Sequence, residues 1–392
     1  MQKLHRDVLN IIKRSLTGTG APPEDLDYDG IFQMGKAHQM IPLIFHGLYS
    51  AEMPVKDKEK FKNTTANCLY QDQNQLYALS EMQTAFSEKQ IDYMLLKGAS
   101  IKRIYPFSEM RMMGDIDILI KEEQYPQIRQ IMSDLGFEEQ IESDHEFVWH
   151  KEPKIHVELH KKLIPSYNDD YYAYYQNAWE KAKASIEKPC VFSMSNEDEY
   201  LYVFTHLTKH YRDGGIGIKH IVDMWLYDQK HPDMDKAYIY QELDKLQLRV
   251  FYENIWKTIR VWFENGETDD VCEHITTRII ESGAYGLAEM RSIAQAARES
   301  ARETSVGKAR RKKIWTSIFL PYRYMKIKYP VLQKVPVLLP VMWVVRWFQA
   351  IFFKRKNIKA QAKHIKRVNA ETVGDYNKEL EMVGLKFDLK KN

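Results

Sequence analysis

Apolar positions recur every three and four residues along much of the chain. Leu76, Leu79, Met82 and Phe86 mark one face of "YQDQNQLYALSEMQTAFSEKQ". The N-terminal "MQKLHRDVLNIIKRSL" has the same period. Both predict amphipathic helices, and residues 1–82 read as helical. At "IDYMLLKGAS" the pattern shortens to an apolar run ending in Lys97-Gly98, which predicts a strand and a turn into a helix. Asp115 to Ile120 predicts a second strand, and "QYPQIRQIMSDLGFEE" a helix closed by Gly136. "HEFVWHKEPKIHVELHKKL" predicts a hairpin turning near Glu152-Pro153. Its second arm alternates strictly, with Ile155, Val157 and Leu159 on one face and His156, Glu158 and His160 on the other. In "CVFSMSNEDEYLYVFTHLTKHY" a strand gives way to a helix, with Ser195 and Asp198 at capping-box spacing. Helical patterns continue to about residue 303. Together these elements predict an α+β fold: a small mixed β-sheet core flanked by helices, with helical N-terminal and C-terminal regions.

Composition refines this picture at two places. The 392 residues are 44% hydrophobic and 12% aromatic, which predicts a globular chain able to bury a large core. Cys68, Cys190 and Cys272 lie far apart with no CxxC, against a disulfide framework or a cysteine zinc site and in keeping with a reducing cytoplasm. The N-terminal helix has no uninterrupted apolar core of a signal peptide. From Thr304 to Ala370 there are 17 Lys or Arg and no Asp or Glu. The net charge is +3, so removing that +17 leaves the rest at about −14.

The basic segment contains "KARRKK", then Arg323, Lys326 and Lys328, an apolar run with Trp343 and Trp347, and "KRKNIKAQAKHIKR". Its apolar part, Val335 to Phe353, is interrupted by Pro336, Pro340 and Arg346 and does not predict a transmembrane helix. Three expectations stand: packing on the acidic body, contact with an anionic membrane surface through 304–370, and, less favoured, nucleic acid. The expected location is cytoplasmic, with peripheral membrane contact as an option.

Candidate chemistry centres on "RMMGDIDILI". Residues i and i+2 of a strand share a face, so Asp115 and Asp117 project together while Ile116 and Ile118 pack beneath. Gly114 precedes the pair, Arg111 lies close in sequence, and Glu158 occupies the polar face of another strand. Three converging carboxylates repel unless a cation neutralises them. Mg²⁺ takes oxygen ligands and shares its shell with substrate phosphates, and two such ions can hold the attacking and leaving oxygens of an in-line displacement. A zinc site from His156, Glu158, His160, His206 and His210 is the minor alternative.

"LLKGASIKRIYPFSEMRMMGDIDILI" followed by "IHVELH" resembles the uncharacterised nucleotidyltransferase family of the DNA polymerase beta-like superfamily. The likeness covers residues 91–160 and extends more loosely to about 228 through "HLTKHYRDGGIGIKHIVDMW". It implies a nucleotidyltransferase core over 83–195, between an N-terminal helical region (1–82), a helical substrate-side domain (196–303) and the basic, partly apolar segment (304–392). It further implies that Asp115 and Asp117 bind metals carrying the nucleotide phosphates. Glu158 would be the third metal ligand and the base for an acceptor hydroxyl. Lys97 and Gly98 would form the turn that holds the triphosphate, and Arg111 would neutralise it. Lys219 would reach the triphosphate and Asp223 would hold it in place, unless the two are merely an i, i+4 surface pair. His160 would orient Glu158 or a substrate group, and His206 and His210 would line the cleft or simply face solvent on a helix.

One departure is visible. Ala99 follows Gly98, where superfamily members usually carry Ser or Gly, and fifteen residues separate Ala99 from Asp115. A serine contact to phosphate is missing unless Ser100 substitutes. The expected activity is Mg²⁺-dependent transfer of a nucleoside monophosphate from an NTP to a hydroxyl of a small molecule, RNA or protein, with release of pyrophosphate. The alternative is an inactive protein of the same fold that binds a nucleotide or a partner.

Overall fold

The computed structural model describes residues 2–20, 24–49, 51–284, 286–303, 311, 315–316, 318–353 and 368–387. The chain divides into two compact units: 1–210 with 215–285, and 211–214 with 286–392.

The first unit is built on one seven-stranded mixed sheet in the order β3-β4-β5-β2-β1-β7-β6. Its strands are β1 (Tyr93–Leu95), β2 (Ile116–Ile120), β3 (Glu138–Glu142), β4 (Glu146–Lys151), β5 (Ile155–His160), β6 (Lys183–Ala184) and β7 (Val191–Ser193). β2 runs parallel to β5 and β1 parallel to β7; the remaining pairs are antiparallel. The sheet is therefore larger than the small one expected. The additional strands β3 and β6 are edges of sequence "EEQIE" and "KA". Such polar edges carry little apolar signal and leave water on one side.

Helices flank the sheet. They are α1 (Lys3–Thr17), α2 (Tyr28–Ala37), α3 (Ile41–Gly47), α4 (Val55–Glu88), α5 (Lys97–Ile101), α6 (Tyr125–Asp134), α7 (Asp169–Tyr175), α8 (Asn196–Asp213), α9 (Ile218–Lys230), α10 (Lys236–Lys245), α11 (Arg249–Phe263) and α12 (Asp270–Ser282). α6 ends beside Gly136, which takes the positive φ of +79°. Ser195 Oγ accepts the Asp198 N–H at 3.1 Å and so caps α8.

Leu79, Met82 and Phe86 of α4 and Ile128, Ile131 and Met132 of α6 join Ile116, Ile118, Ile120, Val157 and Leu159 in one buried cluster. The isoleucines of β2 thus anchor the strand that bears the acids. The buried stripe of α4 continues toward its N-terminus as Gln75 and Asp72, both polar. Asp72 accepts from the Lys102 ammonium and the Ser108 hydroxyl, and Lys102 also donates to the Ser108 carbonyl at 2.7 Å. This pins the segment after α5 to the long helix.

α1 and α3 cross closely at Gly47, where an added Cβ would meet the Ile11 carbonyl oxygen at 2.3 Å. Gly47→Ala is expected to lower stability by about 1–3 kcal/mol, because backbone has to move. Urea denaturation checks it, and an unchanged midpoint would contradict the close crossing.

In the second unit, α13 (Ala288–Glu303) buries Ala294 and Ala297, and the helix Ala370–Met382 buries Val373, Tyr376 and Leu380. A capping box between Asn369 and Thr372 opens that last helix. Most of "KARRKK" and all of "KRKNIKAQAKHIKR" lie outside the described residues, Arg311 and the flanking Val368 aside. Among the described residues no helix is long and apolar enough to cross a membrane.

Candidate active site

Parallel pairing of β2 with β5 sets Asp117 directly across from Glu158, and Leu119 across from His160. Asp115 lies one residue before β2 and is exposed, so the strand begins later than expected. Asp117 is buried and Glu158 half-buried. One oxygen of Asp117 accepts from the Lys97 ammonium at 2.7 Å and lies 2.7 Å from His160 Nε2. His160 Nε2 is also 3.4 Å from Glu158 Oε2, and its Nδ1 is 3.8 Å from Glu146 Oε2.

The electrostatics follow from this crowding. Although Asp115 is exposed as a residue, the protein around its carboxyl keeps part of the water away and pushes it up to about 6, and the charges of Glu158 and Asp117 add to the effect. Burial acts on Asp117 in the same sense, but Lys97 and His160 overcome it and hold that carboxyl well below the usual range. Burial would lower Lys97, yet Asp117 keeps it above the ordinary lysine value.

Ligand atoms of Asp117, Glu158 and His160 lie within 4.8 Å of one another. Two adjacent carboxylates, with a third whose ionisation they oppose, fit a hard divalent cation such as Mg²⁺. His160, bonded to Asp117, suits the outer group that orients a ligand. Of the five residues of the zinc alternative, only Glu158 and His160 belong to the metal-ligating group found among the described residues, whose third member is Asp117.

The turn after β1 is closed by its own backbone. Lys97, not Gly98, takes the left-handed backbone, with φ +47°. Gly98 serves close packing instead, since a Cβ there would stand 3.0 Å from Met113 Cγ. A non-glycine residue in that region is strained by about 1–3 kcal/mol and marks a place the fold over-determines. The N–H groups of Ala99 and Ser100 bond the Leu96 carbonyl and do not point at an anion. Ser100 is buried and donates to Glu199, so it does not replace the missing phosphate-binding serine.

Arg111 is held by protein partners. Its Nε and Nη2 donate to the two oxygens of Asp223, both at 2.7 Å, and Nη1 donates to the Met112 carbonyl at 2.8 Å. Tyr105 donates to Asp223 Oδ1 at 2.7 Å. The fork expected on phosphate is thus a buried clamp tying the approach to β2 onto α9. Asp223, expected to hold Lys219, accepts both arms of Arg111, while the Lys219 amine donates to Gln39 Oε1 at 3.1 Å. Burial, followed by the charge of Arg111, lowers Lys219 to about 7.

Arg111→Lys keeps the charge and loses the two-pronged geometry. It is expected to destabilise by about 2 kcal/mol. A double-mutant cycle with Asp223→Asn checks the clamp, since additive effects would contradict it.

His206 and His210 are half-buried, and burial holds both well below the ordinary histidine value. His220 on α9 has its ring 6.4 Å from that of His210. Two groups near the carboxylates escape a reading of the sequence. Glu146 is paired across the hairpin with His160. The Tyr202 hydroxyl is buried with no hydrogen-bond partner among the described residues, under the influence of Lys97, Asp117 and Glu158. Both sit in ordinary strand and helix patterns, where only the three-dimensional neighbourhood distinguishes them.

A family described as "Uncharacterised nucleotidyltransferase" matches residues 24–264, more than half of the chain. A solved structure, the solution structure of the antibiotic-resistance factor ANT(2'')-Ia, is similar at 15% identity and a TM-score of 0.33, over 50% of this chain and 99% of that one. No protein of curated function matches. The chain belongs to the uncharacterised nucleotidyltransferase family.

Proposed function

We propose that this family member, with a polymerase-beta-like carboxylate site, transfers a nucleoside monophosphate from an NTP to an acceptor hydroxyl and releases pyrophosphate. The observation that supports this most is the in-register pair of Asp117 and Glu158 on parallel strands, with Lys97 and His160 on Asp117. Asp115, Asp117 and Glu158 would hold Mg²⁺, two ions in the full reading, and the metal would supply charge neutralisation for the triphosphate. The rest falls to the chain's own groups. Glu158 takes the proton of the acceptor hydroxyl on a carboxylate oxygen, as the new bond to the α-phosphorus forms and the bond to the β-phosphate breaks. His160 fixes Asp117 and stands beside Glu158. Lys97 offers its ammonium to the phosphates as the carboxylate finds other partners. Burial and the charge of Arg111 disfavour the charged form of Lys219, and an arriving polyanion favours it. His206 and His210 line the acceptor side.

A second reading, an inactive protein that binds a nucleotide or a partner, draws on Lys97, whose ammonium already neutralises Asp117. Each NTP, labelled at the α-phosphate and incubated with Mg²⁺ and host lysate, separates the two. Transfer of label into a small-molecule, RNA or protein fraction supports the enzyme and names the acceptor class. Binding of an NTP without transfer supports the second reading.

A further inference from the structure

The second unit carries an apolar surface that the described residues leave uncovered. The helix Leu339–Phe353 follows a 3₁₀ turn at Pro336–Leu338. Val337, Val341, Val344 and Phe348 are 80%, 55%, 44% and 60% exposed. Val341, Val344 and Phe348, spaced by three and four, share one helical face, and Val337 precedes them in the 3₁₀ turn. Trp343 and Trp347 turn another way: their rings pack edge-on against Phe319 at 5.1 and 5.4 Å. Their indole N–H groups donate to the carbonyls of Leu320 and Ile318, each at 2.8 Å. The helix is thus held in place by its tryptophan face and presents an apolar face of valines and Phe348 to the outside. Trp315 and Ile318, on the preceding segment, are exposed as well.

Contiguous exposed apolar surface of this kind marks an interaction site. Charge selects the occupant. The segment 304–370 holds 17 basic and no acidic residues, and Arg311, Lys328 and Lys334 are exposed among the described ones. A second copy meeting the first by a two-fold axis would bring two such segments together and repel. Nucleic acid suits the cations but gains nothing from an outward row of valines, which do not stack on bases. An anionic bilayer accepts both features, with headgroups pairing the cations and the acyl boundary receiving the apolar face. The described part of the helix is too short to span, so its apolar face would lie in the interface.

We propose that the segment 315–353 docks this protein on anionic lipid membranes, with Val337, Val341, Val344 and Phe348 entering the headgroup–acyl boundary. The docking is independent of nucleotide chemistry and is tested without it. Full-length protein is sedimented with sucrose-loaded vesicles of phosphatidylcholine alone and of phosphatidylcholine with phosphatidylglycerol. The wild type is expected to bind the anionic vesicles, to bind the neutral ones more weakly, and to be released as salt rises. The double variant Val341→Asp/Phe348→Asp alters exposed side chains only, so its melting curve should match the wild type. Its partition onto anionic vesicles is expected to fall about tenfold or more. Val344→Asp alone gives a smaller loss in the same direction. Three results overturn the proposal: wild-type protein that stays in the supernatant with anionic vesicles, variants that partition like the wild type, or single-stranded RNA that displaces the wild type from the vesicles and binds the variants equally well.

Discussion

Asp117→Asn is expected to reduce nucleotidyl transfer by about 10³-fold while leaving the protein folded. Asp117 is the most connected acid of the site, with Lys97 and His160 on one oxygen and Glu158 across the strand pair. An amide retains an oxygen that accepts from Lys97, so the loss of native structure is modest, about 1–2 kcal/mol. It removes the negative charge that a divalent cation requires and turns one oxygen into a donor. Initial rates of label transfer, with melting curves as control, measure the effect. Glu158→Gln should lose a similar amount, and the double variant little more, because the two acids act as one unit. Rates within a few-fold of the wild type would remove both residues from the chemistry.

Asp72→Ala is expected to cost about 3–5 kcal/mol of stability, the largest effect predicted away from the site. Asp72 is completely buried on α4 and is the acidic partner of the Lys102 ammonium. Burial already holds Lys102 below its ordinary value despite that partner. Alanine would strand a cation in the interior, or force it to lose its proton, and would leave the Ser108 hydroxyl without its acceptor. Urea denaturation measures the loss. The paired replacement Asp72→Leu with Lys102→Met should recover most of it, because an apolar pair of similar volume removes the uncompensated charge. If the single variant costs no more than the paired one, the ion pair does not hold that segment to α4.

Alternation explains why the acids could be read before the fold was known. A strand shows which residues share a face, so Asp117 and Glu158 stand out against the isoleucines, valine and leucine beneath them. Register is a different matter. Nothing local says that β2 lies beside β5 in parallel with those two acids opposite each other. The buried polar partners were hidden for the same reason: Arg111 meets Asp223 over 112 residues, Ser100 meets Glu199 over 99, and Lys102 meets Asp72 over 30. A charged residue in an otherwise apolar helical stripe resembles a surface position until its partner arrives from elsewhere. Arg111 shows the consequence. Its type and place suggested phosphate, whereas its planar fork fits the Asp223 carboxylate equally well.

Calorimetric titration of an NTP into the protein, with and without Mg²⁺, tests the central claim most directly, since it reads the carboxylate site before any acceptor is known. Heat of binding is expected with Mg²⁺ present, strongly reduced by chelation and strongly reduced in Asp117→Asn and Glu158→Gln. Binding of equal strength without the metal and in both variants, or no binding of any NTP with it, would contradict the assignment of Asp115, Asp117 and Glu158 as the acids that receive a metal–nucleotide complex.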